Sequence, residues 1–155
     1  MLKPVKNKPA RATSGTISIV ASRYNLRFVD AMLRAAKTEL QQAGAKIRIF
    51  RVPGAYEIPV VAARLARAST PPLSAIICLG VILRGETVHA AHIGEAVSRA
   101  LMRIQVETEV PVIHEVLLLE DEGQARARCL GRKFNRGTEA ARTALEMARV
   151  MAGLV

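Results

Sequence analysis

The chain predicts an α/β domain of three layers, a four-stranded parallel sheet flanked by helices. Three observations carry the prediction. β-branched apolar runs alternate with segments of helical periodicity along the chain. The run SAIICLG (74–80) is apolar without alternation, the pattern of a strand covered on both faces. A length of 155 residues without internal repeats suits one compact domain.

The elements follow in order. Residues 1–15, with Pro4, Pro9 and several lysines, read as a flexible basic arm, and 16–155 as a single domain. TISIVA (16–21) reads as the first strand. Leu26, Val29, Leu33, Ala36 and Leu40 recur at spacings of three and four, one face of a helix that Gly44 can stop. KIRIFRV (46–52) alternates as a second strand, and PGAY (53–56) is a turn. EIPVVAARLARA follows as a helix, with Pro59 tolerable only in its first turn. The third strand is 74–80. A third helix fits from about Val88 to Glu107, with Ile93, Val97, Ala100, Leu101 and Ile104 inward. VPVIHEVLLL (110–119) is the fourth strand, followed by a short helix and an alanine-rich last helix from about Gly137 to Met151. Strand–helix alternation implies right-handed crossovers and helices on both faces. In such open sheets ligands sit at the carboxyl ends of the strands, so Arg23–Asn25, Pro53–Glu57 and Gly80–His89 should converge.

Composition narrows the function. Half of the residues are hydrophobic, enough for a sizeable core, and no apolar run approaches the roughly 20 residues that span a bilayer. The basic N-terminus lacks the apolar stretch of a secretory signal. Cys78 and Cys129 have neither metal-site nor disulfide-framework spacing, which fits a reducing cytoplasm. Cys78, inside AIICLG, reads as a buried small hydrophobe. Net charge is +10, and Lys3, Lys6, Lys8 and Arg11 carry four of those charges. A solvated tail with a basic surface, attraction of small anionic substrates, and nucleic acid are the readings of that balance. Two tyrosines, three phenylalanines and no tryptophan leave few platforms for base stacking, against nucleic acid.

GVILRGET (80–87) nearly reads as a phosphate-binding P-loop, but Glu86 stands where the lysine would, inverting the charge. What remains is a simpler anion site. Thr87 is placed as an N-cap, and the free N–H groups of the helix it opens favour a phosphate. An ordinary capped helix start explains the stretch equally well. His89, in the first turn, can move protons near neutral pH. His92 lies one turn further on and reads as a surface or packing residue. Two histidines do not make a metal site without further ligands. Glu57 is either a first-turn acid stabilised by the helix dipole or a receiver of ligand hydroxyls.

Together SRYN (22–25), VPGAYEIP (52–59), LGVILRGETVH (79–89) and QARARCLGRKFNRGTEAARTALEMA (124–148) resemble the lumazine synthase family, in the family's order and from about residue 16 to the end. The resemblance implies a flavodoxin-like fold and condensation of 5-amino-6-(D-ribitylamino)uracil with 3,4-dihydroxy-2-butanone 4-phosphate, giving 6,7-dimethyl-8-ribityllumazine without a cofactor. By the same resemblance Tyr24 stacks on the pyrimidine. Val81 and Ile82 bind its polar edge through their backbone, and Ala55, Tyr56 and Glu57 hold the ribityl chain. Gly85, Glu86, Thr87 and Arg128 take the phosphate, and His89 transfers protons. It also implies a cytoplasmic homopentamer, or a multiple of one, with the site between neighbours, so that Arg128 and His114 reach the next subunit. The last helix would allow the close packing that a ring needs. Three departures stand out. Ala90 and Ala91 follow His89 where the family has an aromatic and an acid, His114 replaces a phenylalanine, and GRKFNRG (131–137) places Phe134 where a small glycine is usual. A binding or shell-forming protein of the same fold is the alternative reading.

Overall fold

A computed structural model describes residues 11–12, 14–85 and 88–154. They form β1 (Thr16–Ser22), α1 (Leu26–Gln42), β2 (Lys46–Val52), α2 (Ile58–Ala68), β3 (Ala75–Leu83), α3 (His89–Thr108), β4 (Val112–Leu119), α4 (Glu122–Cys129) and α5 (Arg136–Ala152), with a 3₁₀ turn, Ala55–Glu57, ahead of α2. The sheet runs β2-β1-β3-β4, every pair parallel. This is the predicted three-layer α/β architecture, with the strand order of flavodoxin-like folds.

Successive strand side chains point to opposite faces and so feed two cores. Ile17, Ile19 and Ile77 pack with Val29 and Met32 of α1 and with Ala140, Ala141 and Ala144 of α5. Val20, Ile76, Cys78 and Val116 pack with Ile58 and Ala62 of α2 and with Val97 and Leu101 of α3. Burial raises the Cys78 thiol to about 12, in keeping with a small hydrophobe.

Three expectations need correction. The third strand does not stop at Gly80 but continues to Leu83. Gly80 is a close-packing position rather than a strand end, because an added Cβ would lie 3.2–3.3 Å from Val116, Ile58 and Ser22. The buried stripe of α1 includes Phe28 and Met32 and excludes Leu33, which is partly buried, and Leu26, which is 47% exposed at the first residue of the helix. Ile93 and Ala100, expected inward on α3, are only partly buried. Alanines of α5 also pack within the chain, where α5 lies against α1 so closely that a side chain at Gly137 would meet the Met32 carbonyl. Of the proposed arm, residues 1–10 and 13 lie outside the described residues; Ala12 donates its N–H to the Ala43 carbonyl at 2.9 Å.

Candidate active site

At the carboxyl ends of β1 and β3 a cavity of about 950 Å³ opens between the start of α1, the 3₁₀ turn before α2 and the first turns of α3. The three segments expected to converge do so. Tyr24, Ala55, Tyr56, Glu57, Val81, Ile82 and His89 all line this cavity.

Local chemistry explains the arrangement. Asn25 ends the β1–α1 connection in the left-handed region (φ 57), a conformation its short polar side chain tolerates. Its Nδ2 donates to the Val81 carbonyl at 2.7 Å, tying the turn to the end of β3. Tyr24, the residue before it, donates its N–H to the Pro53 carbonyl at 3.1 Å. Its ring lies over Gly54, where an added Cβ would sit 2.7 Å from Cδ2. Glycine at 54 is therefore what lets the ring rest on the turn. The Tyr24 side chain is 69% exposed, an aromatic face offered to the cavity rather than to the core. Glu57 both caps and faces the cavity: its Oε2 accepts the Gly54 N–H at 3.0 Å.

His92 was missed as a cavity residue, and Asn25, within a segment expected there, had no role assigned. Asn25 sits inside the quoted SRYN segment, but only the fold aims its amide at β3. His92, read as surface or packing, is exposed on the cavity wall, three residues after His89 on the same helix face. Glu86 and Thr87 lie outside the described residues. Gly85 is exposed and outside the cavity wall, with open space where a Cβ would be.

His114 and Arg128 line a second recess of about 420 Å³, built by β4, α4 and Arg136 of α5, which shares no residue with the cavity. His114 is already engaged within its own chain. Its Nδ1 accepts the Val116 N–H at 3.1 Å, so the neutral ring carries its hydrogen on Nε2, which donates to Ser98 Oγ at 2.7 Å. Ser98 in turn donates to the Gly94 carbonyl at 2.8 Å. Together with Gln105 Oε1, which accepts the Val112 N–H at 2.8 Å, the ring covers outward amides of the edge strand. Burial holds the His114 imidazole below its ordinary pKa. Glu115 faces the opposite layer, as period-two alternation predicts, 3.9 Å from Arg136. Burial raises its carboxyl to about 7, against the pull of Arg136.

The cavity wall, as described, holds two imidazoles, a carboxylate and two phenols but no lysine or arginine; the recess holds two arginines. Among the described residues no group of three His, Cys, Asp or Glu side chains is placed to hold a metal, and no helix is long and apolar enough to cross a membrane.

An open parallel sheet with imidazoles, an exposed aromatic ring and a carboxylate lining a cavity at its carboxyl end is the arrangement of an α/β protein that takes a small polar molecule there. The family profile described as 6,7-dimethyl-8-ribityllumazine synthase matches residues 14–152. A 6,7-dimethyl-8-ribityllumazine synthase of Stenotrophomonas maltophilia is 41% identical over 141 residues, covering 89% of this chain and 90% of the relative. Proteins of the same name from Xanthomonas euvesicatoria and Xanthomonas campestris are 39% and 40% identical over 144 residues, covering 91% of this chain and 92% of each relative. The chain belongs to the 6,7-dimethyl-8-ribityllumazine synthase family. It is a transferase of riboflavin biosynthesis.

Proposed function

We propose that the chain condenses 5-amino-6-(D-ribitylamino)uracil with 3,4-dihydroxy-2-butanone 4-phosphate, releasing phosphate and water, at a site formed between two copies of itself. The observation that supports the shared site is the separation of complementary groups: the described cavity wall carries no cationic Lys or Arg, and Arg128 stands in a recess that meets none of its residues.

In this reading Tyr24 stacks on the pyrimidine, its aromatic face exposed over Gly54. Backbone groups at Val81 and Ile82 meet the polar edge of the ring, and Ala55, Tyr56 and Glu57 take the ribityl chain and its hydroxyls. The phosphate lies by the start of α3, where the helix dipole favours an anion. Gly85, Glu86 and Thr87 bind it, and Arg128 of the neighbouring copy supplies the positive charge. His89 transfers protons beside the leaving phosphate. The reaction joins an amine to a ketone, expels phosphate and closes a ring. Orientation of two substrates and proton transfer can carry such steps. A homopentamer is the assembly we assign, since a ring places each cavity against one neighbour's recess. We place it in the cytoplasm, where its unpaired thiols, Cys78 and Cys129, stay reduced.

The experiment is turnover of both substrates by the wild-type chain, by His89→Ala, by Arg128→Ala and by the two variants co-expressed. Shared sites predict that mixed assemblies recover roughly a quarter of wild-type activity, because random pairing leaves that share of interfaces intact. Activity in the mixture no higher than the mean of the two variants would contradict the shared site.

A further inference from the structure

We propose that His92 is a second catalytic imidazole of this cavity, taking the carbon-bound proton whose removal expels phosphate, while His89 serves the phosphate itself. The proposal rests on the reaction given above and assigns it a residue that the sequence reading set aside.

The placement of α3 carries it. His89 opens the helix, and His92 follows one turn later on the same face, a spacing that sets side chains about 5–6 Å apart at Cβ. Both line the cavity, whereas Ala90 between them is buried in the α2–α3 core. Ile93 and Ala96 continue the same wall, so the cavity follows α3 away from its N-terminus, and His92 stands further from the phosphate end than His89. The described structure gives the His92 ring no side-chain hydrogen bond or ion pair, in contrast to His114, whose two ring nitrogens are both engaged. Glu57, the carboxylate of the cavity, is tied to the Gly54 N–H. Imidazole is the side chain matched to proton transfer near neutral pH.

The step needs two proton positions at once. Once amine and ketone have joined as an imine, the adjacent carbon bears a hydrogen and a hydroxyl, and the next carbon bears the phosphate. Neutral His92 takes that hydrogen as a proton. The C–H electron pair becomes a C=C bond, and the C–O bond breaks with its pair leaving on phosphate, which receives a proton from protonated His89. The enol so formed takes the His92 proton at its terminal carbon and gives its hydroxyl proton to His89. A ketone results, ready for the second condensation, and both imidazoles return to their starting states.

The test uses butanone phosphate deuterated at that carbon. His92→Gln, which stays polar without a comparable basic nitrogen, and His92→Ala should both lower kcat about 100-fold. KM for either substrate should move less than about threefold. The deuterium isotope effect on kcat should rise above that of the wild-type chain, as C–H cleavage becomes limiting. His89→Ala should slow turnover with a smaller rise. His92 is exposed on the helix, so both variants should fold. Wild-type kcat in His92→Gln, or slow turnover with an unchanged isotope effect, would overturn the proposal while leaving the functional reading in place. A wild-type chain that does not turn over the two substrates would remove both.

Discussion

The cavity at the ends of β1 and β3 and the recess beside β4 divide the chemistry of this chain. The cavity offers an aromatic face, a carboxylate, backbone groups and two imidazoles; the recess offers Arg128 and Arg136. Their histidines differ as well. His92 stands open on the cavity wall, whereas His114 is held at both nitrogens by Val116 and Ser98. The described cavity wall lacks the arginines that the recess holds, and the recess lacks the cavity's aromatic face. In the proposed shared site, the cavity of one chain meets the recess of its neighbour.

The sharpest way to break this comparison is to remove the charge of the recess. Arg128→Ala should raise KM for the butanone phosphate roughly 10–100-fold, the loss expected of a charge-assisted contact. Binding of a ribityl-pyrimidine without phosphate should stay close to wild type. Equal weakening of both ligands in a titration would mean that Arg128 shapes the fold rather than holding phosphate.

Glu115 tests the recess by stability. Its carboxyl is raised from 4.5 to about 7, so between those values the folded chain keeps a proton that the unfolded chain has lost. Stability from this group is therefore present below about pH 4.5 and falls as pH rises through about 7. Glu115→Gln should stabilise the chain at pH 8 by on the order of 1–3 kcal/mol, with little effect at pH 4.5, in denaturant unfolding. His114 works in the opposite sense. Its lowered pKa means that the unfolded chain takes up a proton first, so its contribution is present above pH 6.5 and is lost as pH falls below it. His114→Phe should flatten that acid limb, and an unchanged limb would show that the ring is not desolvated.

The cavity has its own, gentler test. In Gly54→Ala the new methyl meets the Tyr24 ring, which is exposed and can swing aside. The fold should lose less than about 1 kcal/mol, because the ring need not be buried elsewhere. Affinity for the ribityl-pyrimidine should fall severalfold, with KM for the butanone phosphate less affected. Unchanged affinity for both substrates would take Tyr24 out of the stacking role.

Much of the fold was legible because its periods are local. TISIVA, KIRIFRV and VPVIHEVLLL read as strands and are strands in the sheet, and period-two alternation along β4 sends His114 and Glu115 to opposite layers. The end of β3 was misread because a glycine looks like punctuation in a sequence, whereas Gly80 is required by how closely Val116, Ile58 and Ser22 approach.

What the sequence by itself determined is the order of elements, the parallel sheet and the segments whose ends carry Tyr24, Glu57 and His89, since hydrophobic period and turn chemistry are properties of neighbouring residues. Tertiary structure alone decided the rest. Asn25 Nδ2 meets the Val81 carbonyl across 56 positions, His114 closes on Ser98 across 16, and His92 reaches the cavity because α3 docks with that face toward the ends of β1 and β3. The physical reason is shared: a side chain's partner across the fold is fixed by how helices pack on the sheet, and packing sums over many residues at once, so no short window of sequence contains it.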